Sequence, residues 1–397
     1  MKLNPPLLAL AAGAFGIGVT EFAPMGLLPA IAGDLRVSIP TAGLLVSAYA
    51  IGVMLGAPVM TLATSRVPRR ALLIGLMGIF TLGNLMAAMS TGYGMLLVAR
   101  LITSLNHGAF FGVGSVVAAR LVPQNRRAAA VAAMFMGLTL ANVVGVPLAA
   151  WAGDQIGWRA AFWGIAAIGV VAMAALRLTL PAIAADAGGD MLAEIRVVGR
   201  GPVLAALALT VISASAMFTV FTYIAPILQV ETKASMSFVT AMLVTYGVGL
   251  TVGNWLGGRF ADRSVDRTLI VTLASLALLL VAFAVAMPFA APSAVLIFLW
   301  GVASFALVPP LQMRVMSAAH DAPNLASGMN IGAFNLGNAV GAALGGAVIA
   351  GGLGYPVVAL AGAAASACGL VLVLLLARRR ARIRAAEPVP AATACGG

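Results

Sequence analysis

Three ionisable residues interrupt long apolar stretches of the sequence: Glu21, Arg100 and His107. An ionised side chain at the centre of a bilayer costs at least ~2.5–3.5 kcal/mol on insertion scales, so residues of this kind are functional candidates. A carboxyl group can bind and release a proton, an imidazole does so near neutral pH, and an arginine can stabilise a carboxylate. We therefore interpret Glu21, Arg100 and His107 as a proton-coupling group.

The residues around Arg100 follow the spacing of a single helix face. Positions i, i+4, i+7 and i+11 form one stripe, occupied here by Arg100, Ser104, His107 and Phe111. Counted at 1.5 Å per residue, Glu21 and His107 lie roughly 15 and 18 Å below the outer ends of their helices, near the same depth. The sequence leaves open which of the two titrates. It also leaves open two structural alternatives, an ion pair between Glu21 and Arg100 and a hydrogen-bonded core histidine at position 107.

The elements that position these residues are predicted to be membrane-spanning helices. The chain has 397 residues, 62% hydrophobic and 9% charged, whereas a soluble domain carries about 25% charged residues. This composition excludes a soluble protein, and runs that are apolar on every face, such as 269–287, exclude a transmembrane β-barrel. The predicted fold is an all-α membrane protein with twelve transmembrane helices. The expected spans lie near 6–31, 40–62, 71–90, 95–118, 128–150, 159–180, 201–229, 237–258, 268–288, 293–315, 325–350 and 355–377.

The two halves of the sequence resemble each other at a constant offset of 197 residues, which pairs Tyr49 with Tyr246 and Gly52 with Gly249. Several such pairs, each at the same place in the span pattern, indicate a parallel duplication and two pseudo-symmetric six-helix bundles. The predicted domains are an N-terminal half, a cytoplasmic linker, a C-terminal half and a basic cytoplasmic tail that we expect to be disordered. Their bounds are 1–180, 181–200, 201–377 and 378–397.

The net charge of +12 follows the predicted topology. Nineteen basic residues fall on the side that carries both termini, and only Arg36, Arg159 and Lys233 fall on the other side. Because Lys and Arg accumulate in cytoplasmic loops, both termini of this multi-pass protein are predicted to be cytoplasmic. The basic excess is then a topological signal, which argues against a nucleic-acid partner. Two cysteines without metal or disulfide spacing, and no nucleotide-binding motif, predict neither a metal nor a cofactor.

Related loops between spans 2 and 3 and between spans 8 and 9 are candidates for conformational gating. An aspartate beside arginines at a helix end forms a charge-assisted pair that can break in another conformation. The second loop resembles the cytoplasmic loop signature of the major facilitator superfamily, and the first loop has Ser65 where that signature has aspartate. The candidate gating residues in the two loops are Arg66, Arg70, Gly258, Asp262, Arg263 and Arg267.

Gly145 and Pro147 in span 5 extend this resemblance, because they are similar to the Gly/Pro-rich motif of the proton-antiporter branch of the superfamily. We include both among the gating candidates. The stretches 20–29, 100–114 and 157–162 resemble bacterial efflux proteins of the arabinose and chloramphenicol types. The resemblance implies a drug:proton antiporter of the major facilitator fold, located in the bacterial cytoplasmic (inner) membrane.

In such antiporters a carboxylate of span 1 serves proton and substrate binding and an arginine of span 4 supports it, and Glu21 and Arg100 match these positions. Asparagines of spans 5 and 11 are candidate substrate contacts, because these spans line the central cavity in the superfamily. Aromatic and methionine side chains can form an apolar wall beside them. The candidate substrate-binding residues are Phe22, Met25, Ser104, Phe111, Asn142, Tyr223, Phe334, Asn335 and Asn338.

The function predicted from these features is secondary active transport, with proton-coupled efflux of a small apolar or weakly polar compound such as a drug. Efflux of a sugar or a nucleoside by the same fold is an alternative, and a membrane receptor or scaffold that transports nothing is another. An intramembrane enzyme is not favoured, because one acid and one histidine do not supply a catalytic cluster. The expected partners are a small-molecule substrate, protons and the lipid bilayer, with the protein active as a monomer.

Overall fold

The computed structural model describes residues 4–64, 66–124, 127–184, 197, 199–319 and 323–386. Residues 185–196 and 198 of the predicted linker, and residues 387–397 of the predicted tail, lie outside this part. Within it are twelve helices long and apolar enough to cross a membrane, as the sequence predicts, and we number them as spans 1 to 12. Spans 1, 2, 3, 4, 6, 8, 9, 11 and 12 are continuous helices: Pro5–Leu35, Ile39–Ala63, Arg69–Ala88, Tyr93–Arg120, Trp158–Thr179, Met236–Ala261, Val265–Ala286, Pro323–Ala350 and Tyr355–Ala386.

Spans 5, 7 and 10 are interrupted. Each interruption is followed within a few residues by proline, at Pro147, Pro226 and Pro309. Proline lacks a backbone N–H and its ring crowds the preceding turn, which favours an interruption near these positions, whereas span 1 remains helical through Pro24 and Pro29. In span 5 the chain adapts through a π-helical turn. The segments are Arg127–Leu140, Ala141–Gly145 (the π-turn) and Val146–Ile156 in span 5, Gly201–Phe221 and Ile224–Val230 in span 7, and Ala290–Ala306 and Val308–Ala318 in span 10.

The first six spans and the last six spans pack in matching pairs. Span 1 packs on span 5, span 2 on span 4 and span 3 on span 6, while span 7 packs on span 11, span 8 on span 10 and span 9 on span 12. One buried cluster, which includes Phe80 and Phe162, fills the first six spans. A second cluster, which includes Phe283 and Trp300, fills the last six spans and also takes in residues of spans 1, 2 and 5.

The two sets of six spans meet along a seam at the end of the bundle away from the termini. Ser47 of span 2 donates a hydrogen bond from Oγ to the carbonyl oxygen of Ala339 in span 11, at 3.1 Å. Gly43 of span 2 lies directly against the ring of Tyr223 in span 7, and a Cβ at position 43 would overlap that ring. The two sets of spans are therefore in close contact at this end of the bundle.

Candidate proton and substrate site

Glu21 and His107 lie together inside the bundle. The Glu21 carboxylate is 4% exposed and the His107 side chain 5% exposed, and Oε2 of Glu21 lies 4.0 Å from Nδ1 of His107. Such a separation is longer than a hydrogen bond but short enough for strong electrostatic coupling in a site without bulk water. Residue counting along spans 1 and 4 predicts the shared depth, and packing of the two helices brings the side chains together.

Arg100 is buried at 1% exposure and does not pair directly with Glu21. Its Nη1 donates to the carbonyl oxygen of Thr20 at 2.5 Å, so the guanidinium binds the backbone immediately before Glu21. The two opposite charges still interact electrostatically. Within the described part of the chain, Nε and Nη2 of Arg100 have no hydrogen-bond partner. The described structure therefore does not contain the ion pair considered from the sequence. Arg100 instead binds the backbone next to Glu21, and its Nε and Nη2 groups remain available for a further hydrogen bond.

Tyr49 of span 2 joins the histidine and the arginine, and sequence reasoning did not place it in the site. Its hydroxyl lies 3.1 Å from Nδ1 of His107, and the guanidinium carbon of Arg100 lies 4.1 Å from the centroid of its ring. A cation over an aromatic face is attracted by the ring quadrupole, most strongly where water is excluded. Tyr49 therefore stabilises Arg100 through its ring and contacts His107 through its hydroxyl.

A hydrogen-bonded support from span 3 fixes the backbone that Arg100 contacts. Thr20 donates from Oγ1 to Oδ1 of Asn84 at 2.6 Å, and Asn84 donates from Nδ2 to the carbonyl oxygen of Phe80 at 2.8 Å. Buried polar groups in a membrane protein need such partners. Asn84 is therefore a tie between spans 1 and 3.

The span 4 stripe continues beyond His107. The Phe111 ring lies 5.1 Å from the His107 ring and stacks on Phe135 of span 5 at 5.1 Å. Ser104 does not take part, because its hydroxyl donates to the carbonyl oxygen of Leu101 at 2.7 Å and faces Gly52 of span 2. The stripe thus contributes the His107 imidazole and the Phe111 ring to the site. Its serine, Ser104, packs between spans 2 and 4 instead.

The predicted aromatic residues of spans 1 and 11 meet through Phe218 of span 7. Phe22 stacks on Phe218 at 6.1 Å, and Phe334 meets Phe218 edge-on at 5.5 Å. We call Phe22, Phe218 and Phe334 the aromatic bridge. Met25 is buried one turn further along span 1. Tyr223 belongs to the seam, since its ring lies against Gly43 of span 2. Its hydroxyl donates to the carbonyl oxygen of Ala342 in span 11 at 2.7 Å.

The three predicted asparagines differ in how their amides are satisfied. Asn142 donates to the carbonyl oxygen of Leu138 and Asn335 to that of Ile331, each at 3.0 Å. Within the described residues, Oδ1 of Asn335 and both polar side-chain atoms of Asn338 have no hydrogen-bond partner.

The loop between spans 8 and 9 forms its ion pair through Asp266. Oδ1 of Asp266 lies 2.6 Å from Nη1 of Arg314 in span 10. The sequence singled out Asp262, which caps the end of span 8 and makes no side-chain contact of this kind in the described structure. Asp266 lies in the first turn of span 9, where the helix dipole favours an acidic side chain.

The other gating candidates lie in loops, at helix ends or at contacts between helices. Arg66 is exposed at the loop, and Arg70 donates to the carbonyl oxygen of Arg177 at the end of span 6. Gly145 lies against Val19 of span 1, and Pro147 starts the helix that follows the π-turn. Gly258 has open space around its Cα. Arg263 lies in the turn between spans 8 and 9, and Arg267 lies in the first turn of span 9.

Comparison with known proteins identifies the family. The family model described as Major Facilitator Superfamily matches residues 10–330 and 207–394. The chain belongs to the major facilitator superfamily. It is 56% identical over 367 residues to the inner membrane transport protein YdhP of Escherichia coli (strain K12), across 91% of this chain and 93% of that protein.

More distant superfamily members agree with this assignment. The chain is 34% identical to the putative transporter AraJ of Escherichia coli (strain K12), with 90% of this chain and 91% of that protein covered. It is also 34% identical to a chloramphenicol resistance protein of Streptomyces lividans, with 85% and 87% covered. A crystal structure of a D-xylose–proton symporter shares the fold, with a TM-score of 0.75, 15% identity and coverage of 92% of this chain and 96% of that one.

Membership of the major facilitator superfamily confirms three predictions from the sequence. The fold is that of the superfamily, with twelve transmembrane helices. The chain is a multi-pass membrane transporter of small molecules and not an enzyme. The predicted resemblance to arabinose-type and chloramphenicol-type proteins also holds.

Proposed function

We propose that this transporter exports a small uncharged or weakly polar compound across the inner membrane as a proton moves inward. The observation that supports the proposal most directly is the buried Glu21 carboxylate, with the His107 imidazole 4.0 Å away. Of the acidic residues that the structure describes, Glu21 alone is buried. In membrane proteins, a buried acidic residue next to a basic side chain commonly forms part of a proton relay.

The charge state of Glu21 determines what Arg100 interacts with. When Glu21 is ionised, Arg100 balances its charge across a short distance inside the bundle. When Glu21 is protonated, the guanidinium retains the Tyr49 ring and the Thr20 carbonyl, and its remaining donors are available to a substrate. Proton and substrate therefore act on the same arginine, which couples the binding of one to the release of the other.

Glu21 is also close to the surface that must move. Phe22, the next residue, stacks on Phe218 of the last six spans. Protonation thus changes the charge one residue away from a contact between the two sets of spans. A ligand shifts a conformational equilibrium only through such a difference between states, and this contact supplies one.

Export is proposed from the similarity to the chloramphenicol resistance protein, and the basic residues supply the predicted orientation. Nineteen of them lie on the side of the termini, which predicts that this side is cytoplasmic. With this orientation, the seam contacts of Gly43, Ser47, Tyr223 and Ala339 lie toward the outer end, which is compatible with entry of an exported compound from the cytoplasm. One proton moving down about 100 mV and one pH unit releases roughly 2.3 plus 1.4 kcal/mol, which sustains a gradient of a few hundredfold for a neutral compound.

The decisive experiment replaces Glu21 by glutamine, which has a similar shape and does not ionise. In proteoliposomes with an imposed pH gradient, Glu21→Gln is expected to reduce proton-driven transport about a hundredfold, because the group that carries the proton is gone. Glu21→Asp is the matched control and should retain pH-driven transport at a reduced rate. Undiminished proton movement in Glu21→Gln would refute the role of Glu21.

The substrate is identified by a panel measured in the same proteoliposomes. We expect antibiotics of low charge to move against their gradient when the pH gradient is imposed, and sugars and nucleosides in the same panel test the alternative cargoes. Transport of any compound without dependence on the pH gradient would contradict proton coupling and indicate facilitated diffusion.

A further inference from the structure

The Asn338 carboxamide is a buried polar group without a protein partner. The residue is 1% exposed, and in the described part of the chain neither Nδ2 nor Oδ1 makes a hydrogen bond. Carboxamides hold two donors and an acceptor with two lone pairs. Leaving them unsatisfied away from water is unfavourable, and unsatisfied groups of this kind call for an explanation such as a ligand.

Two other asparagines within the spans, Asn330 and Asn84, show how this protein satisfies both atoms of a structural amide. In span 11 itself, Asn330 accepts from Oγ1 of Thr210 at 2.7 Å and donates to Oε1 of Gln312 at 2.6 Å. Asn84 is likewise bonded through both atoms of its amide. Asn330 and Asn84 tie helices together, and Asn338 does not. Packing alone therefore does not account for Asn338.

The surroundings of Asn338 define what it can bind. Phe334 and Asn335 precede it by four and three residues, so all three lie on one face of span 11. Phe334 belongs to the aromatic bridge, and Oδ1 of Asn335 is a second unsatisfied acceptor. No residue from 323 to 350, the length of this helix, carries a charge. The face thus combines aromatic surface, one free amide and one free carbonyl oxygen.

Asn338 also lies at the seam. The next residue, Ala339, accepts the hydrogen bond of Ser47 from the first six spans. Asn338 is therefore adjacent to a contact between the two sets of spans, and we expect its exposure to change when these spans separate during transport. A group that changes its exposure in this way is placed to bind substrate in one state and release it in the other.

We propose that Asn338, with Oδ1 of Asn335, recognises an uncharged compound that carries a hydrogen-bond donor and an acceptor side by side next to an aromatic or apolar body. The inference rests on the proposed function and names the chemical class of its substrate. The ligand carbonyl accepts from Nδ2 of Asn338, its N–H or O–H donates to Oδ1 of Asn338 or Asn335, and its apolar body lies on the aromatic bridge. This face of span 11 carries no cation, so it does not by itself favour a phosphate or a carboxylate.

The test measures binding to the purified full-length protein in nanodiscs by calorimetry, without a pH gradient. The probes are 2-phenylacetamide, whose primary amide presents an N–H and the carbonyl oxygen on the same edge, and N,N-dimethyl-2-phenylacetamide and methyl phenylacetate, which lack the donor. The wild-type protein is expected to prefer 2-phenylacetamide, and Asn338→Leu is expected to weaken its binding about tenfold and to remove the preference, as loss of one or two hydrogen bonds predicts. Asn338→Ser should keep part of the preference.

Asn330→Leu is the matched control. Asn330→Leu removes an amide that bonds to Thr210 and Gln312, so it should lower the melting temperature while binding persists. Asn338→Leu removes no such hydrogen bond and should leave the melting temperature unchanged or raise it. Equal binding of all three probes, binding of none of them, or unchanged binding in Asn338→Leu would overturn the proposal. These results would leave proton coupling intact, since Glu21→Gln tests it separately. Conversely, intact selectivity without proton-driven transport would refute the proposed function alone.

Discussion

Tyr49 and Tyr246 stand 197 residues apart at equivalent positions of spans 2 and 8, and their surroundings differ in kind. Tyr49 contacts His107 through its hydroxyl and carries Arg100 on its ring. Tyr246 donates to Oγ of Ser304, at 3.3 Å. Ser304 also stands 197 residues after His107. The same interhelical hydrogen bond therefore recurs, with a titratable partner in one copy and a neutral partner in the other.

The faces of the two rings show the same division. The Tyr246 ring stacks on Phe221 at 4.3 Å and lies 4.7 Å from Trp300, where Tyr49 has a guanidinium. The offset that pairs the tyrosines assigns Phe218 to the position of Glu21 and Ile297 to that of Arg100. The comparison teaches that the tyrosine contact belongs to the repeated scaffold, whereas at the compared positions the acidic and basic side chains occur only in the first six spans. Where the first copy of the repeat carries Glu21, Arg100 and His107, the second copy carries neutral side chains that pack or form a hydrogen bond.

The largest effect is expected when Arg100 is replaced by the residue at the equivalent position, as Arg100→Ile. The ionised state of Glu21 then has no cation to balance it, and a buried uncompensated charge costs several kcal/mol. Proton-driven transport in proteoliposomes should fall roughly a hundredfold, about 2.7 kcal/mol at 1.36 kcal/mol per factor of ten.

Arg100→Lys controls for charge alone. Lysine retains the charge but lacks the planar fork that binds the Thr20 carbonyl and the Tyr49 ring together, so intermediate activity is expected. Full transport in Arg100→Ile would remove the arginine from the coupling mechanism.

The comparison also explains what sequence alone could predict. Glu21 and His107 were found because charge is rare in apolar spans, and counting residues along regular helices gave their common depth. Phe218 was missed, because in the apolar run of span 7 no pattern distinguishes a side chain of the aromatic bridge from one that only packs. Asp262 was singled out because it matches the loop signature of the superfamily. The sequence does not show that Asp266 is the acid close to Arg314.

Other features needed the packed structure. Tyr49 was noted only as a member of the repeat, although its match to Tyr246 marks a helix contact that the charged residues share. The amides of Asn330 and Asn338 look alike in the sequence, and only their neighbours separate a tie between helices from an unsatisfied group. Whether Glu21, Arg100 and His107 couple protons stays a prediction.

An intermediate effect is expected from His107→Ser, which gives Tyr49 the partner that Tyr246 has. The interhelical hydrogen bond can re-form, so the fold should be retained. We expect the transport rate to fall about tenfold, because the imidazole no longer neighbours the carboxylate, while the response to a pH gradient persists.

The reciprocal variant Ser304→His is the control for this exchange. It adds an imidazole where no acid is present, since Phe218 holds the position equivalent to Glu21, and it should leave proton coupling unchanged. If His107→Ser transports its substrate without responding to the pH gradient, then His107 and not Glu21 carries the proton.

The smallest effect is expected from removing each tyrosine hydroxyl. Tyr49→Phe leaves the ring under Arg100 and deletes only the contact with His107, so it should lower transport a few-fold and stability by about 1 kcal/mol, the net worth of one buried hydrogen bond. Tyr246→Phe should lower stability by no more than this and leave transport unchanged, because its 3.3 Å contact joins two neutral groups. Rates in proteoliposomes and melting curves of both variants measure the difference. Equal loss of transport in the two variants would show that the tyrosines serve packing in both copies, and that the first copy gains nothing from its hydroxyl beyond structure.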